Sequence, residues 1–429
     1  MINAESIASA DAARYAEHYV KPLYGGYCFS QLPETVLHLL GGEANAPLPA
    51  ATFGGEVGPY DHVILLFIDG FGWTHWERFG DGSPFLRRFA EHGVVSKGTS
   101  MFPSTTAAHT SLLYSGALPS QTGVHEWFYY EPAVDKIITP LPFSRAGTLE
   151  RETLKRDDQL DPASIFPPQT TALWLKSKSE DRIQSFVYQS GEYAYSTYSQ
   201  HMQRGAQTVG FKTIAQGLTL LADSIAAQKP GAKTYHLLYI DTIDALGHRY
   251  GPGSHVVAAE AEAVLYQLER FLHARLAREA HNVALLAFAD HGQIETDPAR
   301  TAYLDHELAT IGGWMRTNRA GDLLKPAGSK HDVFLYIRPE CLDEAEAWFT
   351  ACFGERMLVR RTTALVEDGF FGALPPTQKF WERVGNLVLL PRGADGVWWL
   401  HEGKAEDKRG IHGGLTPDEV YIPLLFMNY

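Results

Sequence analysis

Val63–Gly70 reads VILLFIDG, an unbroken run of apolar residues closed by an aspartate and a glycine. Such a run fits a strand covered on both faces, because a strand with one wet face alternates polar and apolar residues. The same form recurs at His236–Ile240, HLLYI, followed by Asp241 and Asp244, and at Val283–Ala289, VALLAFA, followed by Asp290-His291. Between these runs lie helical stretches at Ser83–His92, Thr106–Ser115, Thr213–Gln228 and Ser254–Ala280, the last rich in Ala, Glu, Leu and Arg. The alternation predicts an α/β fold, a mostly parallel central sheet with helices on both faces. Ligands of such sheets gather beyond the carboxyl ends of the strands, where Asp69, Asp244 and Asp290 fall.

Outside this alternation the chain changes character. Residues 1–60 are polar and then turn-rich, which predicts an arm wrapped on a larger body. Residues 131–210 are polar, aromatic and Pro-containing, with FPPQTTALWL and YQSGEYAYSTYS, and are expected to form a lid or substrate wall. Residues 300–405 contain DVFLYI, CLDEAEAWFTACFG and NLVLLP, a strand, helix, strand pattern that predicts a small α+β insertion. The catalytic core is then expected to comprise 1–299 and 406–429, with His412 in a Gly-rich loop before a last apolar strand.

The 45% hydrophobic content describes an ordinary globular protein, and the net charge of −13 argues against affinity for nucleic-acid backbone or anionic membrane. An anionic substrate therefore needs local positive charge, which bound cations supply. Cys28, Cys341 and Cys352 are odd in number and form no CxxC, so neither a disulfide framework nor a thiolate zinc site is indicated. No basic start with an apolar segment opens the chain, and no stretch reaches the roughly 18 apolar residues of a membrane helix. The expectation is a cytoplasmic protein without membrane contact.

Asp69, Asp244, His248, Asp290, His291 and His412 supply carboxylate oxygen and imidazole nitrogen, a donor set for Zn²⁺, Mn²⁺ or Fe²⁺. Six such ligands suffice for two metals about 3.5–4 Å apart, able to clamp the attacking and leaving oxygens of a displacement at phosphorus. The missing nucleophile lies in Met101–Gly116, MFPSTTAAHTSLLYSG, where Ser104, Thr105 and Thr106 stand at the start of a helix. Each is a fitting N-cap, and each carries a hydroxyl that a neighbouring metal could activate.

Taken together, FIDGFG (67–72), FPSTT (102–106), YIDTIDALGHRYGP (239–252), FADHG (288–292) and GIHGG (410–414) resemble the alkaline phosphatase superfamily. Within it, the order of the motifs is similar to the type I phosphodiesterase/nucleotide pyrophosphatase family. The resemblance implies one metal held by Asp244, His248 and His412, and a second held by Asp69, Asp290 and His291. It implies that Thr106 touches the second metal and forms a covalent phospho-enzyme, which water then hydrolyses. Thr105 is the alternative nucleophile, and Ser104 is expected to be a structural cap. The implied metals are zinc, with manganese or iron as alternatives, and the implied substrate is a small anionic phosphate ester such as a nucleotide.

One residue departs from the family's pattern. Trp127, in GVHEWFYYEP, stands 21 residues after Thr106, where the family usually places an Asn that binds a phosphate oxygen. Trp offers one N–H donor and a flat apolar face, so it is expected to hold phosphate differently or to stack on a substrate ring. The alternatives to a phosphodiesterase are a phosphomonoesterase or phosphonate hydrolase on the same metals, and a non-catalytic binding protein. Asp241 reads as a support for the site or a solvated carboxylate. His109 and His125 read as substrate contacts or local helix and loop residues.

Overall fold

The computed structural model describes residues 1–400 and 406–429; residues 401–405, the end of the expected 300–405 unit, lie outside the described residues. A seven-stranded sheet forms the centre. Its strands are β1 (His62–Ile68), β2 (Val94–Thr99), β3 (Ile183–Ser190), β4 (Ala206–Phe211), β5 (Lys233–Ile240), β6 (Val283–Phe288) and β7 (Tyr421–Asn428), in the order β2-β7-β6-β1-β5-β3-β4. Only β7 runs against its neighbours; the other pairings are parallel. Every residue of β1 and β6 is buried, as their unbroken apolar sequences require.

The register decides where the chemistry lies. Ile68 pairs with Ile240 and Phe67 with Phe288, so β1, β5 and β6 end together and release Asp69, Asp241 and Asp290 at one edge. Antiparallel β7 begins at that edge, Tyr421 facing Thr99 at the end of β2. The loop before β7, with His412, and the turn after β2, leading to Thr106, therefore reach the same place. Helices flank the sheet in two groups that pack among themselves, one including Pro84–His92, Ile214–Ala226 and His255–Gln267, the other Leu32–Leu39, Thr106–Ser115 and Thr171–Lys178.

The expected lid at 131–210 is in part sheet. Its second half supplies β3 and β4, which extend the central sheet beyond β5. IQSFVYQS and AQTVGF carry polar residues throughout, and β4 is a half-exposed edge, so neither shows the apolar run that marks β1. Strand β2, VVSKGT, is hidden for a different reason. It is fully buried, but Ser96 bonds Asn3 at 3.0 Å and Lys97 bonds Asp11 at 2.7 Å, so its polar side chains are satisfied by the N-terminal arm.

Residues 327–391 form a four-stranded sheet in the order Ala327–Ser329, Asp332–Leu335, Leu387–Pro391, Met357–Arg361, with the helix Leu342–Phe353 against it. Strand alternation splits its core. Phe334, Tyr336, Val388 and Leu390 join the main core, whereas Val333, Leu335, Leu387 and Leu389 pack in a separate cluster with Phe349. This small sheet thus has one face on the main body. Leu286 sits fully buried at the middle of β6, between β1 and β7. Leu286→Ala is expected to lower the unfolding free energy by about 2–5 kcal/mol, read by denaturant melts.

Candidate active site

Asp244 and His248 lie on one helix, Thr242–Tyr250, four residues apart and so on one face. Asp244 Oδ2 is 3.4 Å from His248 Nε2, Asp244 Oδ1 is 3.6 Å from His412 Nε2, and the two imidazole Nε2 atoms are 3.2 Å apart. Beside them, His291 Nε2 lies 3.6 Å from Asp69 Oδ1 and 3.1 Å from Asp290 Oδ2. The His291 and His412 rings stack with centroids 3.6 Å apart, so the two clusters adjoin. Asp244, His291 and His412, and likewise Asp69, Asp290 and His291, bring one ligand atom each within 4.8 Å of one another.

Hydrogen bonds fix the tautomers. Nδ1 of His248 meets Gly410 O at 2.7 Å, Nδ1 of His291 meets Gly292 O at 3.0 Å and Nδ1 of His412 meets Ser104 O at 2.9 Å. A carbonyl can only accept, so each Nδ1 carries a proton and each Nε2 is turned inward. The lone pairs of His248 and His412 therefore oppose one another. Burial holds both imidazoles well below their usual range, in the neutral form.

Carboxylates crowd the other half. Burial first, and then repulsion from Asp290 and Asp244, push Asp69 well above the usual carboxylate range. Burial would also raise Asp290, but the adjoining His291 imidazolium holds it low; against its own burial, His291 is in turn raised by Asp290. Asp290 Oδ2, fully buried, lacks the alignment of a hydrogen bond to any group. These residues fit a pair of divalent cations, which would take the opposed lone pairs and the orphaned oxygen and displace the extra protons.

Thr106 completes the cage. Its Oγ1 lies 3.1 Å from His291 Nε2 and 3.4 Å from each oxygen of Asp69. It is the first residue of the helix Thr106–Ser115, whose N-cap Thr105 makes no side-chain capping bond. Ser104 does not cap this helix. Its hydroxyl donates to Gly414 O at 2.8 Å and accepts from Gly413 N at 3.1 Å, which binds the His412 loop to the Thr106 turn.

Supports appear that sequence reasoning did not name. The Tyr239 hydroxyl donates to Asp69, and Gln293 donates to the carboxylate and carbonyl of Asp244. Tyr239 sits in an apolar strand, where an aromatic reads as core. Asp241 accepts from Tyr193 at 2.9 Å, and Tyr193 packs edge-on against Tyr239. Tyr198 bonds Thr110 under the helix and Tyr195 is exposed, so the Tyr-rich segment mainly packs. His109 buttresses the turn through Ser100, Met101 N and Thr105 O, and His125 is buried among Tyr129, Phe334 and Phe380. Trp127 lies at the surface, 36% exposed, its backbone N–H given to the Glu126 carboxylate.

Fold and motif order together are those of the alkaline phosphatase superfamily. The chain belongs to the type I phosphodiesterase/nucleotide pyrophosphatase family, whose sequence pattern matches residues 63–415. It is 23% identical over 261 residues to ectonucleotide pyrophosphatase/phosphodiesterase family member 3 of Rattus norvegicus, and equally to that of Mus musculus. Those matches cover 59% of this chain but only 27% of the relatives' length. Murine ectonucleotide pyrophosphatase/phosphodiesterase 5 shares the fold with a TM-score of 0.61 at 16% identity, over 85% of this chain and 87% of that one. The human protein gives 0.62 at 13%, over 86% and 87% of the two chains. An inactive variant of the murine protein in complex with AMP gives 0.61 at 16%, over 86% and 88%.

Because a cation must displace protons from Asp69 and His291, metal affinity is expected to rise with pH and binding to release protons. Calorimetric titration of the metal-free protein in buffers of different ionisation enthalpy checks this; buffer-independent heats would contradict it.

Proposed function

We propose that the chain is a two-metal hydrolase that cleaves phosphodiester or pyrophosphate bonds through a covalent phosphothreonine on Thr106. One observation carries this reading: an alcohol, Thr106 Oγ1, lies in hydrogen-bonding reach of His291 and Asp69 at the start of a helix with an uncapped N-terminus. Asp244, His248 and His412 would hold one cation, and Asp69, Asp290, His291 and Thr106 the other. The oxygen and nitrogen donors favour zinc, with manganese or iron as alternatives. When bound, the metals supply positive charge that favours the alkoxide and offsets charge on the phosphoryl oxygens.

The chain's own residues do the rest. Thr106 gives its hydroxyl proton to solvent and Oγ1 attacks phosphorus; as that bond forms the bond to the leaving alcohol or phosphate breaks, the leaving group keeping the electron pair and taking a proton from solvent. Backbone N–H groups at the start of the helix bind the phosphoryl oxygens without reorganising. Tyr239 and Gln293 hold Asp69 and Asp244 in place, as second partners of ligands generally do. Water then cleaves the phosphothreonine and restores the hydroxyl.

A nucleotide substrate is supported by the family and by the AMP complex of the murine fold relative. Trp127 replaces the amide expected to hold phosphate, so its exposed ring is assigned to a flat part of the substrate. The test compares bis-p-nitrophenyl phosphate with p-nitrophenyl phosphate, with zinc and after chelation. The diester is expected to be the better substrate and chelation to abolish turnover; equal or faster monoester cleavage would favour a phosphomonoesterase. Thr106→Ala is expected to lower kcat by about 10³-fold or more.

A further inference from the structure

Behind the Thr106 turn, two carboxyl groups meet in a fully buried space. Glu126 comes from the loop leading to Trp127, and Asp332 opens the second strand of the small sheet. Half of their oxygens are served. One Glu126 oxygen accepts from Trp127 N–H, the Thr105 hydroxyl lies in hydrogen-bonding reach of this carboxyl, and Asp332 Oδ1 accepts from Ser329 N at 2.9 Å and Ser329 Oγ at 2.6 Å. Glu126 Oε1 and Asp332 Oδ2 remain, buried and without a donor, and the two carboxyl groups lie in hydrogen-bonding reach of each other. Two bare carboxylates have no hydrogen to offer, so this contact requires a proton on one of them.

The pair also sits at a junction. Glu126 holds Thr105, the residue immediately before Thr106. Ser329 Oγ, 2.6 Å from Asp332 Oδ1, is also 2.8 Å from His412 O, so its one hydroxyl hydrogen lies between the two acceptors. Gly413, at φ +126°, lets the backbone come so close that a Cβ there would lie 2.2 Å from Asp332 Oδ1. We propose that Glu126 and Asp332 share one proton and act as a positioning pair, setting the Thr105–Thr106 turn against the His412 loop from a strand of the small sheet.

This inference rests on the reading that Thr106 is the nucleophile. Burial, and then for Asp332 the neighbouring Glu126, supports it: Asp332 is raised well above the carboxylate range and Glu126 to about 7. The titratable groups around the pair are His291, and, behind the Gly413–Gly414 backbone, His331 with Glu419, themselves paired at 2.9 Å. When the shared proton leaves, two anions face each other in a dry space and must separate, releasing Thr105.

The test uses Glu126→Gln, Asp332→Asn and Glu126→Ala in the full, metal-loaded chain. Glu126→Ala leaves Thr105 unheld and is expected to lower kcat by about 10²-fold with little change in KM. Glu126→Gln replaces the shared proton with an amide N–H that does not ionise; it is expected to rescue most of kcat at neutral pH and to keep activity at alkaline pH, where the native protein declines. Asp332→Asn is expected to do the same and serves where Glu126→Gln does not fold. Alkaline limbs superimposable on the native one in both amide variants would overturn the proposal.

A readout independent of turnover is the infrared C=O stretch of a protonated carboxyl, expected at neutral pH in the native chain and in Thr106→Ala, and lost in Glu126→Gln and Asp332→Asn. Its absence from the native chain would overturn the shared proton even if Thr106 is the nucleophile. Its presence with full activity in Thr106→Ala would instead remove the nucleophile and leave the pair.

Discussion

Two imidazole nitrogens, each bearing a lone pair, face one another across 3.2 Å between His248 and His412. Gly410 O and Ser104 O take the Nδ1 protons, so neither ring can turn its donor inward without breaking a buried hydrogen bond. Asp244 lies within 3.6 Å of both Nε2 atoms, and the buried carboxylates of Asp69 and Asp290 stand beyond the stacked His291 ring. Repulsion of this kind in a dry site is costly unless positive charge fills it. The fold therefore maintains a cage whose donors are arranged as a divalent cation would need them.

The central sheet holds the parts of the cage at one edge. Parallel strands β1, β5 and β6 end in register, while β7 runs the other way and so brings its leading loop back to them. The close fit shows in the turn after β1. Gly70 has φ +70°, and a Cβ there would come within 3.1 Å of the Asp244 backbone, so the Asp69 turn and the Asp244 helix approach as glycine alone permits. Ser104 ties the Thr106 turn to the His412 loop, and the small sheet reaches the same loop through Ser329. In the proposed reaction the nucleophile and its ligands keep their spacing because they are braced from both the sheet and the subdomain.

Much of this was legible in sequence, for a physical reason. Doubly covered strands must be apolar throughout, and a run such as VILLFI ending in Asp-Gly announces both the strand and the edge at which it stops. Thr106 and the six candidate ligands, which the fold brings together, could be named because each lies at such an end or in a short, distinctive motif. What stayed hidden was polar sequence made to fit by distant partners. Strand β2 carries a lysine that Asp11 satisfies, β3 and β4 resemble loop composition, and Ser104 looks like a cap until Gly413 and Gly414 claim its hydroxyl. Glu126 and Asp332 are far apart in the chain, and neither lies in a motif, so only the folded structure brings them together.

The central proposal is that Thr106, and not its neighbour Thr105, becomes the phosphorylated residue. The most direct measurement is acid quenching of the zinc-loaded protein during steady-state turnover of a phosphodiester, followed by peptide mass spectrometry across residues 101–116. Phosphate on Thr106, appearing only with substrate and metal, is the expected result; phosphate on Thr105, or a peptide that is never phosphorylated under turnover, would contradict it.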